Sequence, residues 1–440
     1  VHVGLYFSHQ LPRPWAPDAE ERLFTEGLEQ VHLADELGFD SAWVSEQHFL
    51  EEYSHSSAPE VFLAAASQVT QRIRLGHGIV LMPPAYNAPA RVAERIATLD
   101  LVSHGRVEFG IGDSKSRVEL EGFGIAAADR RRMSVEALEQ TARMLAMTPY
   151  PGHQGEFFSM PARNVVPKPV QKPHPPLWMA CSDDASIQAA ARMGIGALAH
   201  GFFDVAEAEH VVAGYYETFK RECVPIGLTV NPQVAMLNPF HCHEAGDDRA
   251  EAAAHHAFGY LTFALRHYYT FGRHRPGQTD LAGRYAAVLA ELGGAVPVRG
   301  GHAVGTPEQI TERLLAHREV GVDQTILIHQ AGDLAHEDIC RSLELFARDV
   351  LPAVTRDRER RLAAKREQLA PYVEAAFARK ASAAEPTGET TDEVIEAYGR
   401  DRPPLDLTMV PESRRATLRE LDHVKEVALR LEAEEDLPSA

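Results

Sequence analysis

The chain has 440 residues, of which 45% are hydrophobic, 24% charged and 8% aromatic, so a fully disordered, collagen-like or mucin-like chain is excluded. Its formal net charge of −19 argues against a general nucleic-acid binder, which needs clustered Lys and Arg to neutralise phosphates. No run approaches ~18 uninterrupted apolar residues, and the start, VHVGLYFSHQ, lacks the basic and apolar regions of a secretion leader, so neither membrane span nor leader is expected. The four cysteines, Cys181, Cys223, Cys242 and Cys340, form no CxxC pair, and a cytoplasmic protein with reduced thiols is the expectation.

Read from the N-terminus, β-rich runs at 3–7, 41–45, 73–81, 106–110, 177–181, 196–200, 233–239 and 324–329 alternate with amphipathic helical runs. Several of these strands are continuously apolar, as parallel strands covered on both faces are. The helical runs are 19–37, 59–69, 90–102, 130–147, 184–193 and 306–320. Gly38, Gly194 and Gly321 close three of them. The last opens with Thr306-Pro307-Glu308, a cap followed by proline in the first turn. Eight strands, each followed by a helix, predict an α/β fold of the (β/α)8 TIM-barrel type, with a doubly wound open sheet as the alternative.

Two segments interrupt the alternation. Residues 148–176, which contain PKPVQKPHPP, are too long for a plain connector and are expected to form a lid or wall. A second Gly- and Arg-containing insertion is expected at 271–302. Beyond residue 351 the composition turns strongly charged and helix-prone, with a polar break at SAAEPTGETTDE. Residues 1–352 are therefore expected to form the barrel, and 353–440 a helical, partly flexible extension outside it. That extension is either solvated or an arm that docks on the barrel or a second subunit, with 418–431 as an amphipathic contact stretch.

No GxGxxG opens a helix, and neither a GxxxxGK[ST] loop nor a GxSxG elbow is present. Gly110-Ile111-Gly112 follows a strand and reads equally as a tight turn or a phosphate cradle. His241-Cys242-His243 alternates faces on a strand and cannot converge on one ion, so no protein-bound metal is expected. The informative positions lie at strand C-termini, where barrel enzymes build their sites. Ser45-Glu46-Gln47-His48-Phe49 places a histidine at the barrel mouth, either structural or functional. Cys181-Ser182 ends a strand, and Asp183-Asp184-Ala185-Ser186 opens a helix. Hydroxyls and free N–H groups there suit a phosphate, although an ordinary serine cap accounts for one of the two serines.

These pieces together resemble the luciferase-like flavin-dependent oxidoreductases, the superfamily of bacterial luciferase and its deazaflavin-dependent relatives. The resemblance spans about residues 1–352, through LADELGFDSAWVSEQHF, APEVFLAAASQVTQRIRLGHGIVLMPP, RVAERIATLDLVSHGRVEFGIG, ACSDDASIQAAARMGIGA, VGTPEQITERLLAHREVGVDQTIL and LELFARDVLPAV. It implies a (β/α)8 barrel holding a flavin noncovalently at the strand C-termini. His48 matches the second histidine of the family's Glu-His-His-Phe element, while the first is Gln47 here, which cannot titrate. Gly78-Ile79 matches the strand that lies against the isoalloxazine ring, in the family often through an unusual cis peptide. Arg132 matches an arginine that grips the flavin phosphate, and Ser182 and Ser186, next to Cys181, match its hydroxyl and helix-start partners. A further phosphate arginine is replaced by Asp113, with Ser114 or Lys115 as stand-ins.

The implied function is a flavin-dependent monooxygenase that uses reduced FMN and O2, through a C4a-(hydro)peroxyflavin, to oxygenate a small organic substrate. In that chemistry His48 would orient or protonate the peroxide, with Gln47 donating a hydrogen bond, and the 148–176 loop would exclude water. No nicotinamide fingerprint is visible, so reduced FMN is expected from a separate flavin reductase, and a homodimer is expected. Two alternatives stand beside this reading. One is hydride transfer with F420, the other a luciferase-like subunit without catalysis.

Overall fold

The computed structural model describes residues 1–200, 203–293, 303–383, 394–397 and 406–435. The alternating runs become strands β1 His2–Phe7, β2 Ser41–Val44, β3 Arg74–Leu81, β4 Val107–Gly112, β5 His153–Gln154, β6 Ser159–Met160, β7 Leu177–Cys181, β8 Gly196–Ala199, β9 Val234–Cys242, β10 Ala303–Gly305 and β11 Gln324–Ile328. Every pairing except β5–β6 is parallel. The order β1-β2-β3-β4-β7-β8-β9-β11 returns to β1, where His2 lies opposite Gln324. The ring is therefore a closed (β/α)8 barrel, and the open-sheet alternative falls. β10 adds to β9 outside the ring.

Two tryptophans fill the lower barrel. Trp43 and Trp178 meet edge to face with ring centroids 5.4 Å apart, both almost fully buried. Each lies over a strand glycine: a Cβ on Gly76 would come within 2.3 Å of Trp43, and one on Gly196 within 2.2 Å of Trp178. Only glycine leaves room for the rings. Above them Tyr6, Ile79, Leu81, Leu198, Leu237, Ile326 and Ile328 continue the interior cluster. Outside the ring, alternate strand residues such as Val3, Leu5, Leu75, Phe109 and Leu327 pack against the helices.

The expected insertion at 148–176 folds back onto the barrel's flank. Its β5–β6 hairpin lies against the Arg130–Ala146 helix, where Glu136 accepts from the N–H groups of Phe157 and Phe158. The fully buried Tyr150 donates to Gln140 at 2.9 Å. The second insertion is partly helical, Leu281–Glu291, while 294–302 lies outside the described residues. Two long helices, Val205–Glu222 and Asp248–Arg266, complete the outer layer, and the latter runs into a π-helix at His267–Phe271.

The chain divides into a unit Val1–Thr390 and a unit Thr391–Ala440, a boundary later than residue 352. The difference arises because the Arg358–Ala383 helix packs across the N-terminal end of the barrel. Leu369 and Ala376 are buried there, Lys365 pairs with the buried Asp323, and Arg358 meets Asp40 at 2.5 Å. Arg379 and Lys380 donate to the carbonyls of Cys223 and Gly227. The second unit contains the helix Glu412–Glu435, on which Leu421, Val424 and Leu431 are exposed. The polar break lies mostly outside the described residues. Among those described, no helix is long and apolar enough to cross a membrane, and no group of three or more His, Cys, Asp or Glu is placed to hold a metal ion.

Candidate active site

A cavity of about 480 Å³ opens at the C-terminal ends of the barrel strands, within the roughly 300–1,000 Å³ typical of small-molecule sites. Its two sides differ in chemistry. Toward β9 and β11 it is lined by Leu237, Leu261, Leu265 and Ile328, and toward β4 and β7 by Asp113, Ser114, Lys115, Arg131 and Ser182. Tyr6, Gly78, Ile79, Leu81, Ala180 and Cys181 form wall between them.

The polar side is built by ion pairs. Lys115 donates to the Ser182 hydroxyl at 2.6 Å and to Asp183 at 2.9 Å. The hydrogen bond from Lys115, with that from Ser186, holds the Asp183 carboxyl well below the usual range. Asp183 also caps the Asp184–Met193 helix, accepting from the Ser186 N–H at 2.9 Å. Asp113 does not leave this side acidic. It is buried, and its Oδ2 lies 3.2 Å from Arg130 and 2.9 Å from Arg131.

Six of the expected residues, Gln47, Gly78, Ile79, Ser114, Cys181 and Ser182, line the cavity, and three do not. Arg132 points away: its side chain is 55% exposed and meets Glu156 at 2.6 Å and Asp129 at 2.5 Å. Successive helical residues turn by about 100°, so in the run Arg130-Arg131-Arg132 it is Arg131 that reaches the rim. The Ser186 hydroxyl is used in its helix cap, donating to Asp183 at 2.7 Å. His48 stands behind the wall. Its Nε2 is 3.0 Å from the buried Glu46, and its ring lies against Tyr86 and Phe123.

β3 carries a register shift between His77 and Val80, and Tyr6 donates to the Gly78 carbonyl at 3.2 Å. A Cβ at Gly78 would lie 3.3 Å from both Trp43 and Tyr6, so a larger residue would crowd this wall. The cis peptides among the described residues all precede proline, so Gly78–Ile79 carries none. Nor does the 148–176 loop cover the cavity, because no residue of it lines the space. The cover comes from Leu261 to Thr270 instead, where Tyr269 on the π-helix donates to Gln47 at 3.2 Å.

Several lining residues escaped the sequence reading: Tyr6, Tyr53, Glu119, Arg131, His200 and Tyr269. Burial raises the tyrosines, Tyr6 to about 12, and lowers His200 to about 4, so all four are neutral near pH 7. Burial also raises the Cys181 thiol to about 12, which leaves it protonated and unreactive. Glu119 differs. It has no exposed surface, and its two oxygens accept from the His48 N–H at 2.8 Å and the Ser114 hydroxyl at 2.6 Å. Burial, the largest influence, pushes its carboxyl up to about 7.

Comparison with known proteins decides the family. The luciferase-like monooxygenase profile matches residues 7–324. The chain belongs to the luciferase-like monooxygenase family. It is accordingly an oxidoreductase with the barrel fold that the resemblance implied. The oxygenase component of a flavin-dependent trigonelline monooxygenase from Acinetobacter baylyi is 25% identical over 348 residues, covering 76% of this chain and 91% of that one. The crystal structure of monooxygenase RslO1 from Streptomyces bottropensis is 26% identical with a TM-score of 0.65, covering 80% of this chain and 99% of that one. An F420-dependent secondary alcohol dehydrogenase shares the fold at 19% identity and a TM-score of 0.60, over 80% of this chain and 98% of that one.

The cavity suits a flavin on its own chemistry. A planar ring has an apolar and aromatic wall to lie on, and an anionic tail has Lys115, Arg131, the Ser182 hydroxyl and a helix N-terminus. The Ser8 hydroxyl is buried in the wall without a partner, a polar group left over for a ligand.

Proposed function

We propose that the protein is the oxygenase component of a two-component monooxygenase, taking reduced FMN from a separate reductase and using O2 to oxygenate a small, largely apolar organic molecule. The observation that carries this reading is the two-sided cavity, with cations at β4–β7 and aliphatic side chains at β9–β11. The trigonelline relative's description as an oxygenase component supports the separate reductase.

Lys115, Arg131 and Ser182 would hold the FMN phosphate, with the start of the Asp184–Met193 helix beside them. Gly78, Ile79, Leu81, Ala180 and Cys181 would face the ring. Bound reduced FMN supplies the electrons and the oxygen-activating chemistry. Leu237, Leu261, Leu265 and Ile328 keep water from the reacting atoms and set the apolar character of the substrate. Gln47, oriented by Tyr269, offers an amide hydrogen bond at the mouth. His48 positions the Glu46–Gln47 segment from behind rather than touching the reactants.

The test is fluorescence titration of the purified protein with FMN and, in parallel, with F420. Saturable FMN binding, and reoxidation of reduced FMN in air at a rate that the protein changes relative to free FMN, support the reading. Binding of F420 alone would overturn it in favour of hydride transfer.

A further inference from the structure

Gln47 stands where the family's Glu-His-His-Phe element has its first histidine, and it cannot carry a proton. Oxygenation by reduced flavin needs one, because an oxygen atom that gains negative charge must be protonated. The cavity's other groups are poorly suited to supply it. Tyr6, Tyr53 and Tyr269 are held as neutral phenols by burial, and His200 as a neutral ring. Asp113 is clasped by two arginines, and Asp183 by Lys115. Among the described lining residues, Glu119 is the carboxyl without an ion pair.

Its surroundings are those of an acid. From the segment after β2 come His48, through its backbone N–H and through the charge of its ring when protonated, the Glu46 carboxylate and Tyr53. Tyr86 follows β3, and Tyr269 faces it from the π-helix. On its own segment the neighbours are Ser114 and, further off, Asp113 and Lys115, the last turned toward Ser182 and Asp183. No cation touches the carboxyl side chain among the described residues. Ser114 sits between Glu119 and the open space. Its hydroxyl donates to Glu119 and accepts from the Ser116 N–H at 3.0 Å, and its backbone is held at φ 54, a left-handed conformation unusual for serine.

We propose that Glu119, acting through the Ser114 hydroxyl, holds and delivers the proton of the oxygenation, the role that Gln47 cannot fill. This rests on the flavin-monooxygenase reading above. The transfer is a two-bond relay. Protonation of Glu119 reverses its hydrogen bond with Ser114, so that the carboxyl O–H donates to Ser114 Oγ and the Ser114 hydroxyl hydrogen turns to the open space. Glu119 then gives its hydrogen to Ser114 Oγ as Ser114 releases its own to an oxygen of the bound reactants that carries negative charge. The O–H bond of Glu119 breaks, one forms at the receiving oxygen, and the charge passes to the Glu119 carboxylate. Solvent returns the proton after product leaves.

The test uses the full chain and two substitutions. Glu119→Gln keeps one acceptor oxygen, for the His48 N–H, turns an amide N–H donor toward Ser114 Oγ, and cannot titrate. Ser114→Gly removes the hydroxyl at a backbone conformation glycine favours. Infrared titration of flavin-free protein should show a protonated-carboxyl C=O band that disappears as pH rises through about 7, retained in Ser114→Gly and absent in Glu119→Gln. Glu119→Gln should bind FMN within about threefold of wild type, and both variants are compared with wild type at saturating FMN. On mixing with oxygen, reoxidation of bound reduced FMN should slow by at least about tenfold and lose its pH dependence near neutrality. A carboxyl band that survives in Glu119→Gln, or an unchanged reoxidation profile in both variants, overturns the assignment. Failure of wild type to bind FMN would instead strike the functional reading, while the infrared result still reports on Glu119. Should Glu119→Gln melt early, Ser114→Gly decides the relay alone: full wild-type rates in it exclude Ser114 as the outlet.

Discussion

Asp113 and Arg131 meet at 2.9 Å on the rim of the cavity, and the pairing aims the guanidinium at the space where an anionic tail would lie. A charge-assisted contact of this kind contributes about 1.5–3 kcal/mol. Arg131→Ala should therefore weaken FMN binding roughly tenfold to a hundredfold, whereas Arg132→Ala should leave it within about twofold because Arg132 faces solvent. Fluorescence quenching by FMN checks both. Equal losses in the two variants would mean that the phosphate does not sit on the β4–β7 side.

Glu52 is a structural anchor for the second insertion. It has no exposed surface and accepts from Tyr260 at 2.8 Å, from the N–H groups of Leu281 and Ala282, and from the Arg13 N–H. Glu52→Ala strands these buried donors, and a loss of about 3–5 kcal/mol in urea unfolding is expected. Hydrogen exchange should quicken first at 277–291, next to the π-helix.

Acid should unfold the protein through its buried histidines. His9 packs among Phe7, Phe24 and Phe62 with no partner on either nitrogen, and burial pushes it down to about 3, as it does His329. The folded values lie below the ordinary 6.5, so the unfolded chain binds more protons between pH 3 and 6.5. Their contribution is complete above pH 6.5 and is lost as pH falls, by about 1.4 kcal/mol per group for each pH unit. His9→Phe should reduce the slope of urea stability between about pH 6.5 and 5. A slope unchanged in the variant would remove His9 from the acid response.

Removal of the Glu412–Glu435 helix should leave the first unit intact. A chain ending near 393 should keep its melting temperature and FMN affinity, while one ending near 356 exposes the sites of Leu369 and Ala376 and leaves buried Asp323 without Lys365. The shorter chain should melt several degrees lower in calorimetry. Indistinguishable melting would place the domain boundary back near 352.

The barrel was legible because its signals are local: apolar runs of strand length, glycines that close helices, and a threonine-proline helix start. Each of the eight ring strands falls within a few residues of its expected position. β10 escaped, since three residues carry no period. At the site, residues in a strand or just beyond its C-terminal end, such as Gly78, Gln47 and Ser182, could be placed. Those fixed by helix rotation could not, which is why Arg132 stood in for its neighbour. Tyr269 and Glu119 reach the cavity through a π-helix and a short helix after β4 whose directions depend on tertiary packing. The Pro-rich loop looked like a cover on length alone, and only the position of its buried Tyr150 assigns it to the flank.

Closure of the ring has a consequence for biosynthesis. β1 finds its second neighbour only in β11, so β1 waits with one hydrogen-bonding edge open until almost the whole barrel has been made. Through that interval the nascent chain presents unpaired apolar edges at both β1 and its growing end, a ready template for wrong partners. Such a topology closes late and over long sequence separation, which makes folding slow. Premature termination before Gln324 should thus yield aggregates rather than a smaller stable domain, and holding chaperones should be engaged from the first strand onward.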